Sequence, residues 1–227
     1  MNNDIQQQAA TLAPKGGTDS KILRFLANVV SVICHPVLLP TFMAFVLFKL
    51  DAASFAGLTA KQMNMWLLSI GITTLFFPVF SILLMKALGF IESIQLHTPK
   101  DRIIPLLAIM IFYFWVNHVL GNVPNVPLIL HVLSLGCFWG VIVVFMVTIF
   151  FKVSMHTAGA GGMLGMMIVL LMHNTINMWI PLLVGIVIAG LIGTARMLLR
   201  AHTASEIWLG YILGIIVQVS AYLYLKP

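Results

Sequence analysis

The run LILHVLSLGCFWGVIVVFMVTIFF, residues 128–151, carries no Asp, Glu, Lys or Arg. A helix needs about 20 such residues to cross a hydrocarbon core of about 30 Å, whereas a membrane strand needs only about 10. The run is continuous rather than alternating, so it reads as a helical span and argues against a β-barrel, whose strands alternate apolar and polar residues over short segments. Composition extends that reading to the whole chain. Of 227 residues, 61% are hydrophobic and 8% are charged, against about 25% charged in an ordinary soluble domain.

Upstream of this run, residues 121–127 form a turn rich in Asn and Pro, too short to be anything but a hairpin connection to a preceding span at 103–120. Further spans are expected at 63–88, 158–173, 180–199 and 207–225. The segment 22–50 is long for one span, and His35-Pro36 and Pro40 disrupt it as a continuous helix. The expected fold is an all-α integral membrane protein, a helical bundle of about six to seven transmembrane helices. It occupies one domain, 22–227, behind a flexible polar tail, 1–21, that lacks the pattern of a cleaved signal peptide. Small residues recur every four positions at Gly185, Ala189 and Gly193 and at Gly210 and Gly214, and a Gly/Ala run fills 158–162. Such stripes let helix backbones approach closely in a membrane. Cys34 and Cys137 lie in apolar segments without metal-ligand spacing, and no disulfide is expected.

Charge breaks the apolar pattern at three places: His97 to Pro105, Lys152 to His156, and Arg196 to Glu206. Ionisable groups near membrane depth are costly and point to a functional site facing protein or water. Two spans separate Arg102 from Ser154 and two more separate His156 from Arg196, so an even count returns all three clusters to one face. His118, His131 and His173 fall toward the other face. The shared face gathers Lys100, Arg102, Lys152, Arg196 and Arg200 with His97, His156 and His202, offset by Glu92, Asp101 and Glu206. The net charge of +6 is dispersed rather than packed into a basic run, which points away from nucleic acid and toward anionic lipid or phosphate. Arginine forks and lysine ammonium groups hold phosphate oxygens, and adjacent histidines supply a nucleophile and a general acid.

The third cluster, Arg196, five residues, His202, three residues, Glu206, resembles the third motif of the type 2 phosphatidic acid phosphatase superfamily of membrane lipid phosphatases, Arg-x5-His-x3-Asp. Val153-Ser154-Met155-His156 keeps the Ser and His of that family's Pro-Ser-Gly-His. Lys100-Asp101-Arg102-Ile103-Ile104-Pro105 keeps the residue types of its first motif, Lys-x6-Arg-Pro, at a different spacing. The resemblance spans roughly residues 97–214, with the motifs in family order. It implies a phosphatase acting on a lipid phosphate or diphosphate through a phosphohistidine on His202, oriented by Glu206. His156 would protonate the leaving group and then activate water, while Lys100, Arg102, Ser154 and Arg196 hold the phosphate. No metal or cofactor is implied. The substrate would be a phospholipid or polyprenyl phosphate in the cell membrane, the inner membrane in a bacterium.

Other readings stand beside this one. A transporter or anionic-lipid-binding protein would use the same basic cluster without catalysis, and a metal-dependent hydrolase would build on His202 and Glu206. Thr203-Ala204-Ser205-Glu206 also fits a helix capping box, Ser154 a local helix cap, and Arg200 a basic residue snorkelling at a span end. A single crossing in 22–50 puts the clusters on the face of the N-terminal tail, which Lys15, Lys21, Arg24 and Lys86 mark as cytoplasmic. The family resemblance implies the outer face.

Overall fold

The computed structural model describes residues 20–91, 99–173 and 177–226, with the side chains of residues 99–101 excepted. The tail expected at 1–21 lies outside the described residues up to position 19, and the first helix already begins at Lys21. All regular structure among the described residues is helical: α1 Lys21–Ile33, α2 Leu39–Leu50, α3 Ala60–Gly71, α4 Phe77–Ala87, α5 Pro99–Asn122, α6 Leu128–Phe150, α7 Met155–His173, α8 Trp179–Leu198 and α9 Ala204–Leu225. Six helical stretches among the described residues are long and apolar enough to cross a bilayer: Ala60–Ala87, Arg102–Asn122, Leu128–Phe150, Met155–His173, Trp179–Leu198 and Ala204–Leu225. Their outward faces carry large exposed apolar side chains such as Phe150, Ile180, Val187 and Trp208. The chain is a multi-pass helical membrane protein.

The stretch Ala60–Ala87 is one rod in which α3 passes into α4 through a π-helical turn, Ile72–Phe76. Thr73 and Thr74 donate their hydroxyls back to Ser69 O at 2.6 Å and Ile70 O at 2.8 Å, competing with the regular ladder. Pro78 has no N–H to give to Thr74 O, and Tyr113 Oη from α5 donates to that carbonyl instead at 3.4 Å. In a membrane such a freed carbonyl needs a protein partner.

The best-packed pair is α7 with α9. Gly161 and Gly165 on α7 meet the backbone of Tyr211 and Ile215, while Gly210 and Gly214 on α9 meet the backbone around Ser154, Ala158 and Gly162. The expected small-residue contact is therefore a reciprocal glycine seam. The α8 stripe is used as well: Gly193 abuts Tyr211, and Tyr211 Oη donates to Ala189 O.

The segment 22–50 is broken as His35-Pro36 and Pro40 suggest. The end of α1 leaves Ser31 and His35 beside Arg196 and His156. At the far end of α2, Leu47 and Phe48 join the core that contains Leu120, Ile129 and Met178, residues flanking the turns at the opposite end of the bundle. The two short helices together carry the chain from one end to the other. His118, His131 and His173 lie at that opposite end, near Asn122, Gly121 and Tyr222 respectively.

Candidate functional site

The link between α8 and α9 is built to present His202. Helix α8 closes with Ala201 N donating to Arg196 O at 3.1 Å and Arg200 N to Met197 O at 2.9 Å, the bond pair of a Schellman motif. Arg200 holds the left-handed position at φ 52°, where glycine is usual. Thr203 then caps α9 by accepting from Glu206 N at 3.4 Å. Only this half of the expected capping box forms, because the Glu206 carboxylate turns the other way. His202 Nδ1–H donates to Glu206 Oε2 at 2.7 Å. That bond assigns the ring proton to Nδ1 and leaves an Nε2 lone pair on a side chain that lines the cavity described below. Burial holds the His202 pKa below the ordinary histidine value, and the Arg196 and Arg102 guanidinium groups add to this against the opposing pull of Glu206. The neutral imidazole is the favoured form.

The second cluster is stitched onto the third. Ser154 N donates to Glu206 O at 3.3 Å, Lys152 Nζ donates to Ala201 O at 3.0 Å and lies 3.8 Å from Glu206 Oε2. The first cluster joins through Arg102, which is 5% exposed and donates from Nη1 to Val153 O at 3.2 Å. Arg196 donates from Nη1 to Ser31 Oγ at 3.3 Å, and among the described residues its buried Nε has no hydrogen-bond partner. A buried charge-bearing donor left open is costly unless a ligand takes it.

His156 stands in the first turn of α7 and donates Nε2–H to Ser31 O at 3.0 Å. Ser31 lies in the last turn of α1, where carbonyls lose their helical partners, and His156 satisfies one of them. Its Nδ1 is therefore the nitrogen left for chemistry. His35 packs edge-on against it, ring centroids 5.2 Å apart.

Ser154 sits differently from the phosphate contact that the family resemblance implies. It is fully buried, its Oγ accepts from Thr157 N at 3.4 Å as the cap of α7, and it does not line the cavity. Lys100 and Asp101 begin α5, but their side chains, with Glu92 and His97, lie outside the described residues. Arg200 does reach the cavity lining. Ser31 and His35 belong to the site although the sequence reading marks His35 only as part of a helix break. The available signal was an ionisable side chain at a helix break in an apolar segment.

These groups close one end of a cavity of about 1020 Å³. From Arg102 the cavity continues past Leu106 and Ile109 to Tyr113 on α5, with Met43, Leu133 and Val144 on facing helices. Eleven helical steps of 1.5 Å from Arg102 to Tyr113 give this shaft a length of roughly 16 Å. Among the described residues no three His, Cys, Asp or Glu side chains form a metal-binding group. The convergent groups are hydrogen-bond donors and cations. No protein-family model, curated protein or solved structure matches the chain.

Proposed function

We propose that the protein is a membrane phosphatase that hydrolyses a lipid phosphate or diphosphate through a phosphohistidine on His202. The observation that carries this reading is the His202–Glu206 pair at 2.7 Å, with its free Nε2 on a cavity that also receives Arg196 and Arg102. The base-oriented nucleophile and the convergent guanidinium groups are the parts that phosphoryl transfer requires. The apolar shaft favours a substrate with a hydrocarbon tail over a soluble phosphate ester.

In the first half-reaction His202 Nε2 attacks phosphorus as the bond to the lipid oxygen breaks. Protonated His156 gives the Nδ1 proton to that oxygen, so the lipid leaves as an alcohol. Arg196 and Arg102 hold the equatorial phosphoryl oxygens, and Glu206 stabilises the charge that His202 acquires. In the second half His156 Nδ1 takes a proton from water, which attacks phosphorus, breaks the P–N bond and releases phosphate. Lys100 keeps the phosphate-binding role that the resemblance implies. Ser154 serves as the cap that fixes the start of α7 and so the position of His156. By this reading the enzyme works in the cell membrane of a bacterium, on phospholipid or polyprenyl phosphates.

The decisive experiment replaces His202 with Ala and measures phosphate release from a panel of lipid phosphates in detergent. Loss of turnover together with loss of acid-labile phosphoprotein is expected. Undiminished turnover refutes the mechanism. One observation favours a non-catalytic lipid-binding or transport role: Met155 lines the cavity where the family has glycine, and the Ser154 hydroxyl is turned away. Wild-type protein that binds lipid phosphates and releases none supports that alternative.

A further inference from the structure

The first segment, 21–50, contributes to the site a residue that no motif of the resemblance contains. His35 lies at the break between α1 and α2, is exposed, and lines the same cavity as Arg196, His156 and His202. Val37 N–H donates to His35 Nδ1 at 3.4 Å. A ring nitrogen that accepts a hydrogen bond bears no proton, so the imidazole is the neutral tautomer with its proton on Nε2. The main chain thus fixes one edge of the ring, and the edge bearing the N–H is the one left for a ligand.

Its depth is equally informative. A Cβ on Gly159, one turn beyond His156 on α7, would meet Leu39 and Pro36. The turn that follows His35 therefore rests on α7 just below His156. Before His35, Asn28 and Ser31 line the polar end of the cavity, and after it Leu38, Leu39 and Met43 line the apolar shaft. His35 stands at the neck between the two. A lipid phosphate with its phosphoryl group at Arg196 and its tail in the shaft has one polar atom at that neck, the oxygen bridging phosphorus to the lipid.

We propose that His35 is a catalytic residue whose Nε2–H donates a hydrogen bond to this bridging oxygen and stabilises the negative charge that grows on it as the P–O bond breaks. The inference rests on the phosphatase reading above. No proton is transferred from His35: the leaving oxygen receives its proton from His156 Nδ1, and the neutral His35 ring is unchanged at the end of the cycle. A preorganised donor of this kind, aimed at developing charge, is worth about 10²–10³ in kcat.

The test compares two substrates that share a tail and differ in their need for this donor: dodecyl phosphate, whose alkoxide is a poor leaving group, and a nitrophenyl phosphate carrying the same dodecyl chain, whose phenolate leaves without help. Wild type, His35→Ala, His35→Gln and His202→Ala are assayed in the same detergent. His35→Ala should lose about 100-fold in kcat on dodecyl phosphate and less than about fivefold on the aryl ester. His35→Gln, which retains an N–H donor but cannot titrate, should recover most of the loss. The aryl ester also reports that each His35 variant is folded. Equal losses on both esters, or an effect confined to KM, would mean that His35 only shapes the site, and the proposal fails. It fails alone if wild type turns over, His202→Ala does not, and His35→Ala behaves as wild type. If wild type hydrolyses neither ester, the phosphatase reading falls and the role of His35 falls with it.

Discussion

The glycine seam between α7 and α9 sets the distance between His156 and the His202–Glu206 pair, and Gly214→Ala tests that directly. A Cβ at Gly214 would stand 2.5 Å from Gly162 N and closer still to Ala158 O, where ordinary van der Waals contact begins at 3.4 Å. Both obstacles are backbone atoms, so the two helices must separate by roughly 1 Å, or one must rotate. Overpacking of this kind costs about 1–3 kcal/mol of stability. Under the proposed mechanism its effect on catalysis is larger, because α7 carries His156 and α9 carries Glu206, and a misplacement of about 1 Å between reacting groups costs about 100-fold. The matched control is Gly190→Ala on α8, where an added Cβ meets nothing within 4 Å. There the same substitution removes only the conformational freedom of glycine in a helix and stabilises by about 0.5–1 kcal/mol. The assay is kcat for lipid phosphate release in detergent, read beside the thermal unfolding midpoint. Gly214→Ala with wild-type kcat and midpoint would show that the seam does not set the geometry of the site.

Three further outcomes follow from the geometry. Because burial and the two arginines hold the His202 pKa below its ordinary value, the imidazole stays neutral on acidification past about pH 6.5. The acid limb of kcat/KM should therefore lie below that pH, and Arg102→Gln, which removes one lowering influence, should move it upward; a limb above 6.5 in wild type contradicts the assignment. Glu206→Gln keeps an acceptor for Nδ1–H but removes the charge, so kcat should fall by about 100-fold while the acid limb moves to still lower pH; single-turnover phosphorylation measurements would expose a smaller effect. Lys152 pairs with Glu206 at 3.8 Å with 41% of its side chain exposed, and exposed pairs contribute at most about 1 kcal/mol. Lys152→Ala should cost less than about fivefold in kcat/KM, less again at high salt, and a loss comparable to that of Glu206→Gln would place the ammonium on the phosphate.

Much of this architecture is legible in the sequence because a bilayer leaves the chain few options. Runs such as 128–151 must be helices, and an even number of crossings must return the charged clusters to one end, where Arg102, Lys152 and Glu206 indeed converge. The pairing of His202 with Glu206 was readable from their spacing in the motif, and the chain realises it with His202 just ahead of the Thr203 cap and Glu206 in the first turn of α9. What the sequence conceals is contact across the bundle. Ser31 meets His156 and Arg196 across separations of 125 and 165 residues, and no local pattern encodes such a pairing. Ser154 fails in the opposite direction. Motif likeness assigns its hydroxyl to a ligand, yet a backbone N–H three residues away is the nearer partner and turns the side chain out of the cavity. His35-Pro36 is the intermediate case, visible as a helix break but not as the neck of a cavity.

The left-handed Arg200 makes the turn before His202 a point of trade between durability and activity. An L residue there carries a steric cost of about 1–2 kcal/mol that glycine avoids, yet the guanidinium it holds lines the cavity. Arg200→Gly should raise the unfolding midpoint and weaken binding of an anionic lipid in the same protein. A search for a sturdier variant would find that position early, and would find it at the expense of the substrate.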